Sequence, residues 1–291
     1  MERPEQILNL IGNTPLIHYR DNIFAKLESR NPSGSIKDRM TAYMLKAAEE
    51  KGEIKPGDRI VEATSGNTGV SFSMLSAVKG YNFTAVMAET MSEERRQMMR
   101  AYGADFILVP TMEDTIKKLK EYEGVEGVWL PRQFDNQANV DSHRETTGKE
   151  ILQQLTNIGA FVAGVGTGGT LMGVAEALKS KYPEVKIVAV EPAESPVLSG
   201  GKPGPHNVQG IGSGFIPEIV DLNKIDQIVT IKSKEAMDTA RKLTQNHGLF
   251  VGISSGATIL ASTKIAEKMP DKNVVTVLAD SADRYLSTEL F

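Results

Sequence analysis

The chain has 291 residues, 40% of them hydrophobic and 24% charged, which is long enough for two domains with substantial cores. A formal net charge of −4 offers no basic surface for nucleic acid or for an anionic membrane, so we expect neither partner. The first residues show no apolar signal segment and no apolar stretch reaches the length of a bilayer, which favours the cytoplasm. The absence of cysteine excludes disulfides and thiolate metal sites.

From residue 59 onward, short runs rich in Val and Ile alternate with longer segments of helical period, a pattern typical of βα units around a mostly parallel sheet. The chain is therefore predicted to have an α/β fold, with helices in most gaps between strands at residues 59–63, 83–88, 105–109, 127–130, 160–165, 186–190, 227–231 and 273–278. The charged segment 91–102 predicts a helix with a solvated face and no function. The irregular stretch 193–217, rich in Pro and Gly, is long enough to be a functional loop.

One lysine stands at an unusual place, directly after a loop of small residues. The loop opens a predicted helix whose first turn contains Lys37, in the segment Asn31-Pro32-Ser33-Gly34-Ser35-Ile36-Lys37-Asp38-Arg39. The positive end of the helix dipole disfavours an ammonium ion there, so partial burial would leave Lys37 as a neutral nucleophile able to form a Schiff base with a carbonyl. The alternative for a lone lysine is a solvated side chain followed by Asp38 as an ordinary helix-start acid.

Three glycine-rich turns follow predicted strands and precede predicted helices, which places them at the ligand-binding edge of an open α/β sheet. The first is Thr64-Ser65-Gly66-Asn67-Thr68-Gly69. Its hydroxyls, its Asn amide and the backbone N–H groups of the helix start suit a carboxylate. A capped helix start is the alternative.

The second turn offers consecutive backbone amides to an anion, and a phosphate is its expected guest. It reads Gly164-Val165-Gly166-Thr167-Gly168-Gly169-Thr170. The spacing of Gly164, Gly166 and Gly169 also matches the dinucleotide fingerprint, with Glu191 placed where a ribose-binding acid would stand. A nicotinamide enzyme is therefore an alternative, but it leaves Lys37 and the first turn without a task.

The third turn, Gly252-Ile253-Ser254-Ser255-Gly256, matches the pattern of a hydrolase nucleophile elbow. Such a hydrolase needs a histidine downstream of the serine, whereas the last histidine of this chain is His247, so we interpret Ser254 as a hydrogen-bonding hydroxyl or an N-cap. The histidines have no metal-ligand spacing, and we expect no metal site. All four are interpreted as structural or surface residues: His18, His143, His206 and His247.

A nucleophilic lysine, a phosphate turn, a carboxylate turn and a neutral hydroxyl together fit pyridoxal phosphate. At these motifs the chain resembles the cysteine synthase family, also called O-acetylserine sulfhydrylase, among the fold type II pyridoxal phosphate enzymes. The resemblance runs nearly end to end, through residues 11–16, 25–28, 31–39, 64–69, 133–134, 146–148, 166–170, 199–205, 209–217 and 252–256.

The resemblance implies two open, twisted, mostly parallel sheets flanked by helices, as in the tryptophan synthase β-subunit, with the active site between two domains. The larger domain, which binds the cofactor phosphate, would comprise residues 1–35 and 140–291. A smaller mobile domain, residues 36–139, would carry Lys37 and the 64–69 turn. We place the boundary near residues 136–140.

The resemblance also implies a role for each matching residue. Lys37 would carry the cofactor as a Schiff base and act as the catalytic base, Asn67 would bond the ring hydroxyl, and Ser254 would face the pyridine nitrogen. The phosphate would be held by Gly166, Thr167, Gly168, Gly169 and Thr170. The substrate would be bound by Thr64, Ser65, Gly66, Thr68, Gln133 and Gly210.

The implied reaction is a β-replacement that forms L-cysteine from O-acetyl-L-serine and sulfide through an α-aminoacrylate. The alternatives are cystathionine β-synthase, O-phosphoserine sulfhydrylase and cysteine desulfhydrase activities, with the nicotinamide enzyme as a distant one. The expected partners are the small-molecule substrates and a second copy of the chain in a homodimer, and the family also predicts binding of a serine acetyltransferase tail.

The sequence departs from the family pattern at three places. The segment between Leu16 and Phe24 is short, which leaves room for the loss of a strand or an edge turn and affects the expected dimer surface. Residues 136–137 replace an Asn-Pro pair. Ser213 stands where alanine is usual and adds polarity near the expected substrate entrance, so the natural donor and nucleophile stay open.

Overall fold

A computed structural model describes residues 5–64, 66–89 and 93–291. The strands, in chain order, are β1 (Leu16–Arg20), β2 (Ile23–Leu27), β3 (Arg59–Ala63), β4 (Asn82–Ala88), β5 (Asp105–Val109), β6 (Val128–Trp129), β7 (Ile158–Gly164), β8 (Lys186–Pro192), β9 (Gln227–Ile231) and β10 (Asn273–Leu278). The α-helices are α1 (Lys37–Lys51), α2 (Asn67–Lys79), α3 (Glu93–Ala101), α4 (Met112–Lys120), α5 (Gln137–His143), α6 (Lys149–Gln154), α7 (Gly169–Lys181), α8 (Ser233–His247) and α9 (Ile253–Ala266). A π-helical turn, Arg144–Gly148, joins α5 to α6, and short 3-10 turns occur at Glu5–Leu10, Glu28–Arg30, Leu222–Lys224 and Ala282–Tyr285.

The strands form two sheets, as the α/β prediction requires. Over the described residues, one sheet has six strands in the order β1-β2-β10-β7-β8-β9 and the other has four in the order β5-β4-β3-β6. Every pairing is parallel except that of β1 with β2. The α/β fold with two mostly parallel sheets is thereby confirmed.

The core lies on both faces of the larger sheet, because the side chains of a strand alternate between its faces. Ala160 and Val162 of β7 pack toward one cluster, which contains the apolar residues of α8 and α9. Phe161 and Ala163 pack toward the other cluster, which contains the apolar face of α7. Strands buried on both faces read as continuous apolar runs, and this made them predictable.

The prediction gave four strands their observed bounds, β3, β5, β9 and β10, and placed four others to within one or two residues at an end. It missed the hairpin of β1 and β2. The short segment between Leu16 and Phe24 keeps both strands, since Asp21 takes a left-handed conformation with φ 49° and lets the chain turn within two residues. Strand β1 is a partly exposed edge strand of mixed polarity, so its pattern is weak.

The helix predicted at residues 91–102 is α3, and residues 91–92 lie outside the described part of the chain. The prediction that the charged face of this helix is solvated is wrong for Arg95, which is only 5% exposed. The stretch 193–217 is irregular, as predicted. The proposed domain boundary falls where Asn136 caps α5, after the last strand of the small sheet, and the domain limits stay a prediction. Within the described ranges, no helix is long and apolar enough to cross a bilayer.

Candidate active site

Backbone pairing fixes the start of α1 against the end of the larger sheet. Ser35 forms an antiparallel bridge with Asp280, and the Ile36 N–H donates to the Ala279 carbonyl over 2.8 Å. Asp38 is fully buried and accepts from the backbone N–H of Ser33 at 2.7 Å and from its hydroxyl. The acid after Lys37 is therefore part of the loop's internal structure, and Lys37 is held in the first helical turn beside strand β10.

The Lys37 amine lacks the partners that a structural lysine has. Its side chain forms no hydrogen bond or ion pair with any described residue. Loss of hydration lowers the pKa of Lys37, and the nearby Asp280 carboxylate opposes that shift. The environment therefore makes the Lys37 amine easier to deprotonate than that of a solvated lysine.

The residues predicted to bind a carboxylate lie together at the start of α2. The Thr64 hydroxyl accepts from the Gly69 N–H at 3.1 Å and from the Gly66 N–H at 3.4 Å. The Thr68 hydroxyl donates to the Gln133 side chain at 2.8 Å, which joins the turn to the segment after β6. Ser65, the remaining member of this predicted group, lies outside the described residues.

Asn67, the first residue of α2, is oriented by a buried acid. Its Nδ2 donates to Asp280 Oδ2 over 2.7 Å. Its Oδ1 is buried and has no hydrogen-bond partner among the described residues. A buried amide oxygen without a partner is costly, and such atoms often face a ligand.

The second glycine-rich turn surrounds the start of α7, with Gly168 as its N-cap. Asn139 of α5 donates to the Thr167 hydroxyl at 3.0 Å and to the Gln133 carbonyl at 2.9 Å, so this turn and the substrate turn share one support. A Cβ atom at position 166 would lie 2.3 Å from the Gly210 carbonyl, which only glycine allows. The backbone of the 193–217 loop thus passes directly over the turn.

His143 contacts the predicted phosphate turn, a role that the sequence analysis did not assign. Its Nε2 lies 3.2 Å from the Thr170 hydroxyl and its Nδ1 lies 2.9 Å from the Thr147 hydroxyl. Burial, followed by the charges of Arg39 and Lys37, lowers the His143 pKa well below its usual value. The ring is therefore neutral, and it links Thr170 to the surroundings of Lys37.

Ser254 lies in the first turn of α9 and is 5% exposed. Its hydroxyl forms no hydrogen bond within the described residues. The Gly252 N–H donates to the Asp280 carbonyl at 3.2 Å, which brings this turn to the same place as Lys37 and Asn67. Lys37, Asn67 and Asp280 thus form one cluster, and the described members of all three turns lie around it.

The Glu191 carboxylate is already hydrogen-bonded within the protein and is not available to a ribose. It is 1% exposed, and its carboxylate accepts from the Leu198 N–H at 2.8 Å, the Ser199 N–H at 3.1 Å and the Ser199 hydroxyl at 2.5 Å. Its oxygens therefore hold the start of the 193–217 loop. The dinucleotide alternative loses the acid on which it depended.

The entrance to the cluster contains Gly210, which has φ 91°, and Ser213, whose hydroxyl donates to the Gly166 carbonyl at 3.0 Å. Arg95 reaches the same loop through a hydrogen bond to the Gln209 side chain. Arg132 is paired with Asp135, its Nε 2.9 Å from the carboxylate. No group of His, Asp and Glu residues suited to a metal occurs in the part of the chain that the structure describes.

The donor set fits pyridoxal phosphate. An amine without partners at Lys37 suits an aldehyde, and the amide of Asn67 and the hydroxyl of Ser254 are available to a polar ring. The turn at the start of α7 suits a phosphate.

Comparisons with known proteins agree with this geometry. Residues 7–280 match the family described as "Pyridoxal-phosphate dependent enzyme". A cysteine synthase of Staphylococcus aureus is 47% identical over 300 residues, covering 99% of this chain and 97% of that protein.

Two solved structures are also similar along nearly the whole chain. Cysteine synthase from Entamoeba histolytica has a TM-score of 0.93 and 39% identity, covering 98% of this chain and 90% of that one. An O-acetylserine dependent cystathionine β-synthase from Helicobacter pylori has a TM-score of 0.92 and 40% identity, covering 98% of both. The fold type II architecture is confirmed, and the nicotinamide alternative is wrong. The chain belongs to the cysteine synthase family of pyridoxal-phosphate dependent enzymes.

Proposed function

We propose that the protein makes L-cysteine from O-acetyl-L-serine and sulfide by β-replacement. The observation that carries the proposal is the position of Lys37, whose amine has no hydrogen bond to a described residue, near Asp280, which also bonds Asn67 in the turn that suits an amino-acid carboxylate. The cysteine synthases among the similar proteins support the same assignment.

Four groups of residues would hold the cofactor. Lys37 would bind its aldehyde carbon, Asn67 its ring hydroxyl and Ser254 its ring nitrogen, while the phosphate would lie at residues 166–170. The bound cofactor supplies an electron sink that acidifies the substrate Cα–H and allows the acetate at Cβ to leave. A serine at the ring nitrogen does not hold that nitrogen protonated, which favours elimination over transamination.

The protein's own groups position the substrate and move one proton. Thr64, Thr68, Gln133 and the backbone of Gly66 would bind the substrate carboxylate, and Ser65 is proposed to join them. Lys37 would take the Cα proton and later return it, because its amine is the base available at this place and burial lowers its pKa. In the net reaction the Cβ–O bond breaks with acetate leaving, a Cβ–S bond forms from hydrogen sulfide, and one proton is released.

The assembly and location are proposed on the family resemblance. We expect a homodimer in the cytoplasm, and binding of a serine acetyltransferase tail at the substrate site. Size-exclusion chromatography with light scattering tests the dimer, and competition between such a tail peptide and O-acetylserine tests the second partner.

A second candidate is β-replacement with homocysteine as the nucleophile. It is favoured by the likeness to the cystathionine β-synthase of Helicobacter pylori and by Ser213, which places a hydroxyl over Gly166. O-phosphoserine is a weaker candidate as the donor, because Arg132 is already paired with Asp135.

The test is a matrix of initial rates. O-acetylserine, O-phosphoserine and serine are each combined with sulfide or homocysteine, and the products are separated by mass spectrometry. The proposal predicts the highest kcat/KM for O-acetylserine with sulfide. A higher kcat/KM with homocysteine than with sulfide would establish the second candidate. Turnover with serine but not with O-acetylserine would contradict both candidates.

A further inference from the structure

A buried carboxylate, Asp280, lies at the centre of the cluster and has no part in the reaction proposed above. It lies two residues beyond the end of β10 and is 1% exposed. Its backbone forms the bridge to Ser35, two residues before Lys37, and its carbonyl accepts from the Gly252 N–H. The sheet and the start of α1 therefore fix where this acid stands relative to Lys37.

One carboxylate oxygen orients Asn67. Oδ2 of Asp280 accepts from Asn67 Nδ2 at 2.7 Å and from the Tyr285 hydroxyl at 2.6 Å. Burial and the neighbouring acid raise the pKa of Tyr285, so the phenol keeps its proton and donates. Because an ionised carboxylate only accepts hydrogen bonds, the Asn67 amide must turn its nitrogen toward Asp280. That orientation leaves the second amide hydrogen and Oδ1 for a ligand.

The other carboxylate oxygen has been left without a hydrogen bond. Oδ1 of Asp280 is buried and unpartnered within the described chain. A Cβ atom at position 252 would lie 2.2 Å from this oxygen and 2.5 Å from the Tyr285 ring, so only glycine leaves it room. A buried carboxylate that is half satisfied is costly unless a cation stands near. Lys37 is such a cation when protonated.

Three further titratable groups face the cluster. His143 comes from α5 and feels the charge of Lys37. Arg95 comes from α3, with its guanidinium 5.0 Å from the centre of the Tyr285 ring. Arg284 donates to the Gly34 carbonyl at 3.0 Å. Arg95 lies over the Tyr285 ring, whereas Arg284 lies at the loop before Lys37, near the Asp38 carboxylate that Ser33 bonds. The carboxylate whose charge acts on Lys37 is therefore Asp280.

We propose that Asp280 is a positioning residue of the active site, which holds the Asn67 amide in one orientation and supplies the fixed negative charge opposite the Lys37 amine. The inference rests on the proposed function, since Lys37 and Asn67 matter to catalysis only if they hold the cofactor. Its tests use the cofactor-free chain and cofactor binding, so they give an answer whatever reaction the enzyme catalyses.

The first test measures the protonation of Lys37 in the full-length protein freed of cofactor. Trace acetylation over a range of pH, followed by peptide mass spectrometry, gives a labelling midpoint for each lysine, with the exposed Lys234 as the internal reference. Without the carboxylate the ammonium loses its stabilising charge, so D280N lowers the Lys37 midpoint by about one pH unit, roughly tenfold more neutral amine at a given pH. Y285F keeps the charge and shifts the midpoint less.

An unchanged Lys37 midpoint in folded D280N, with Lys234 also unchanged, would overturn the electrostatic part of the proposal. Circular dichroism establishes whether the variant is folded. If D280N does not fold, D280S removes the same charge with a smaller side chain and is subject to the same criterion.

The second test is a double-mutant cycle on cofactor affinity. Equilibrium dialysis of pyridoxal phosphate is compared for the wild type, D280N, N67A and the double variant. If Asp280 acts through Asn67, each single variant weakens binding several-fold and the double variant is little worse than either. Effects of D280N and N67A that multiply would show that the acid does not position the amide.

Discussion

Two basic residues in the first turn of α1 differ in how their charges are compensated. Arg39 is buried, and its guanidinium donates to Glu28 at 2.7 Å and to Glu150 at 2.6 Å. Lys26 and Thr14 complete that network. Lys37, two residues earlier, has no such partner among the described residues. One helix start therefore contains a saturated ion network that holds the structure and an unsaturated amine that is available for chemistry.

The largest effect is expected from a substitution of Lys37, the amine that has no hydrogen bond to a described residue. K37A is predicted to lower kcat/KM by at least about 10³-fold, because it removes the base and the point of cofactor attachment. The variant should stay folded in the absence of cofactor, as circular dichroism can establish, since the Lys37 side chain has no hydrogen bond to a described residue. K46A, at an exposed position on the same helix, is the control and should keep full activity. A K37A enzyme with wild-type rates would contradict the assignment of Lys37.

The next largest effect is expected from a substitution in the ion network of Arg39. E28Q removes one of the two carboxylates that face Arg39, so the buried guanidinium keeps only Glu150, which also pairs with Lys26. The variant is predicted to lower the unfolding free energy by about 3–5 kcal/mol. E50Q, which disrupts only the exposed pair of Lys46 and Glu50, should change it by less than about 0.5 kcal/mol. Urea unfolding measures both. Equal losses in the two variants would remove the distinction between the two networks.

Two carboxyls, the buried Glu62 and the partly buried Glu150, should respond to pH in opposite directions. Burial opposes ionisation of Glu150, but Arg39 and Lys26 outweigh it and lower the pKa of Glu150 from 4.5 to about 2. Its stabilising effect is therefore present above pH 4.5 and is lost as the pH falls toward 2. Burial raises the pKa of Glu62 to about 8, although a hydrogen bond from the backbone N–H of Gln133 opposes that shift. Its ionisation therefore destabilises the fold as the pH rises from 4.5 toward 8.

The measurement is the difference in unfolding free energy between each variant and the wild type across pH. E150Q should cost most near neutrality and progressively less below pH 4.5. E62Q should gain stability relative to the wild type as the pH rises, by at least about 1 kcal/mol. Differences that do not depend on pH would show that neither carboxyl has a shifted pKa.

The smallest effect concerns the entrance. S213A removes one hydrogen bond to the Gly166 carbonyl. Because such a bond contributes about 1 kcal/mol, KM is predicted to change by less than about tenfold. The values of kcat and cofactor affinity should not change. A change in the preference between sulfide and homocysteine would show that Ser213 helps to select the nucleophile.

The sequence predicted those parts that depend on local pattern. The buried parallel strands and the three glycine-rich turns could be located from apolar runs and small residues, and the turns led to Lys37, Asn67 and Ser254. Asp280, Asn139 and His143 were missed, because each reaches the site through contacts between segments far apart in the chain. One signal was present for Asp280, namely an acid two residues after the last buried strand, at the edge where ligands bind.

The central claim is that Lys37 holds pyridoxal phosphate at this cluster. The most direct test treats freshly purified protein with borohydride and maps the modified peptide by mass spectrometry. The account predicts one pyridoxal phosphate adduct, on Lys37, and none in K37A. An adduct on another lysine, or none in wild-type protein that contains the cofactor, would contradict it.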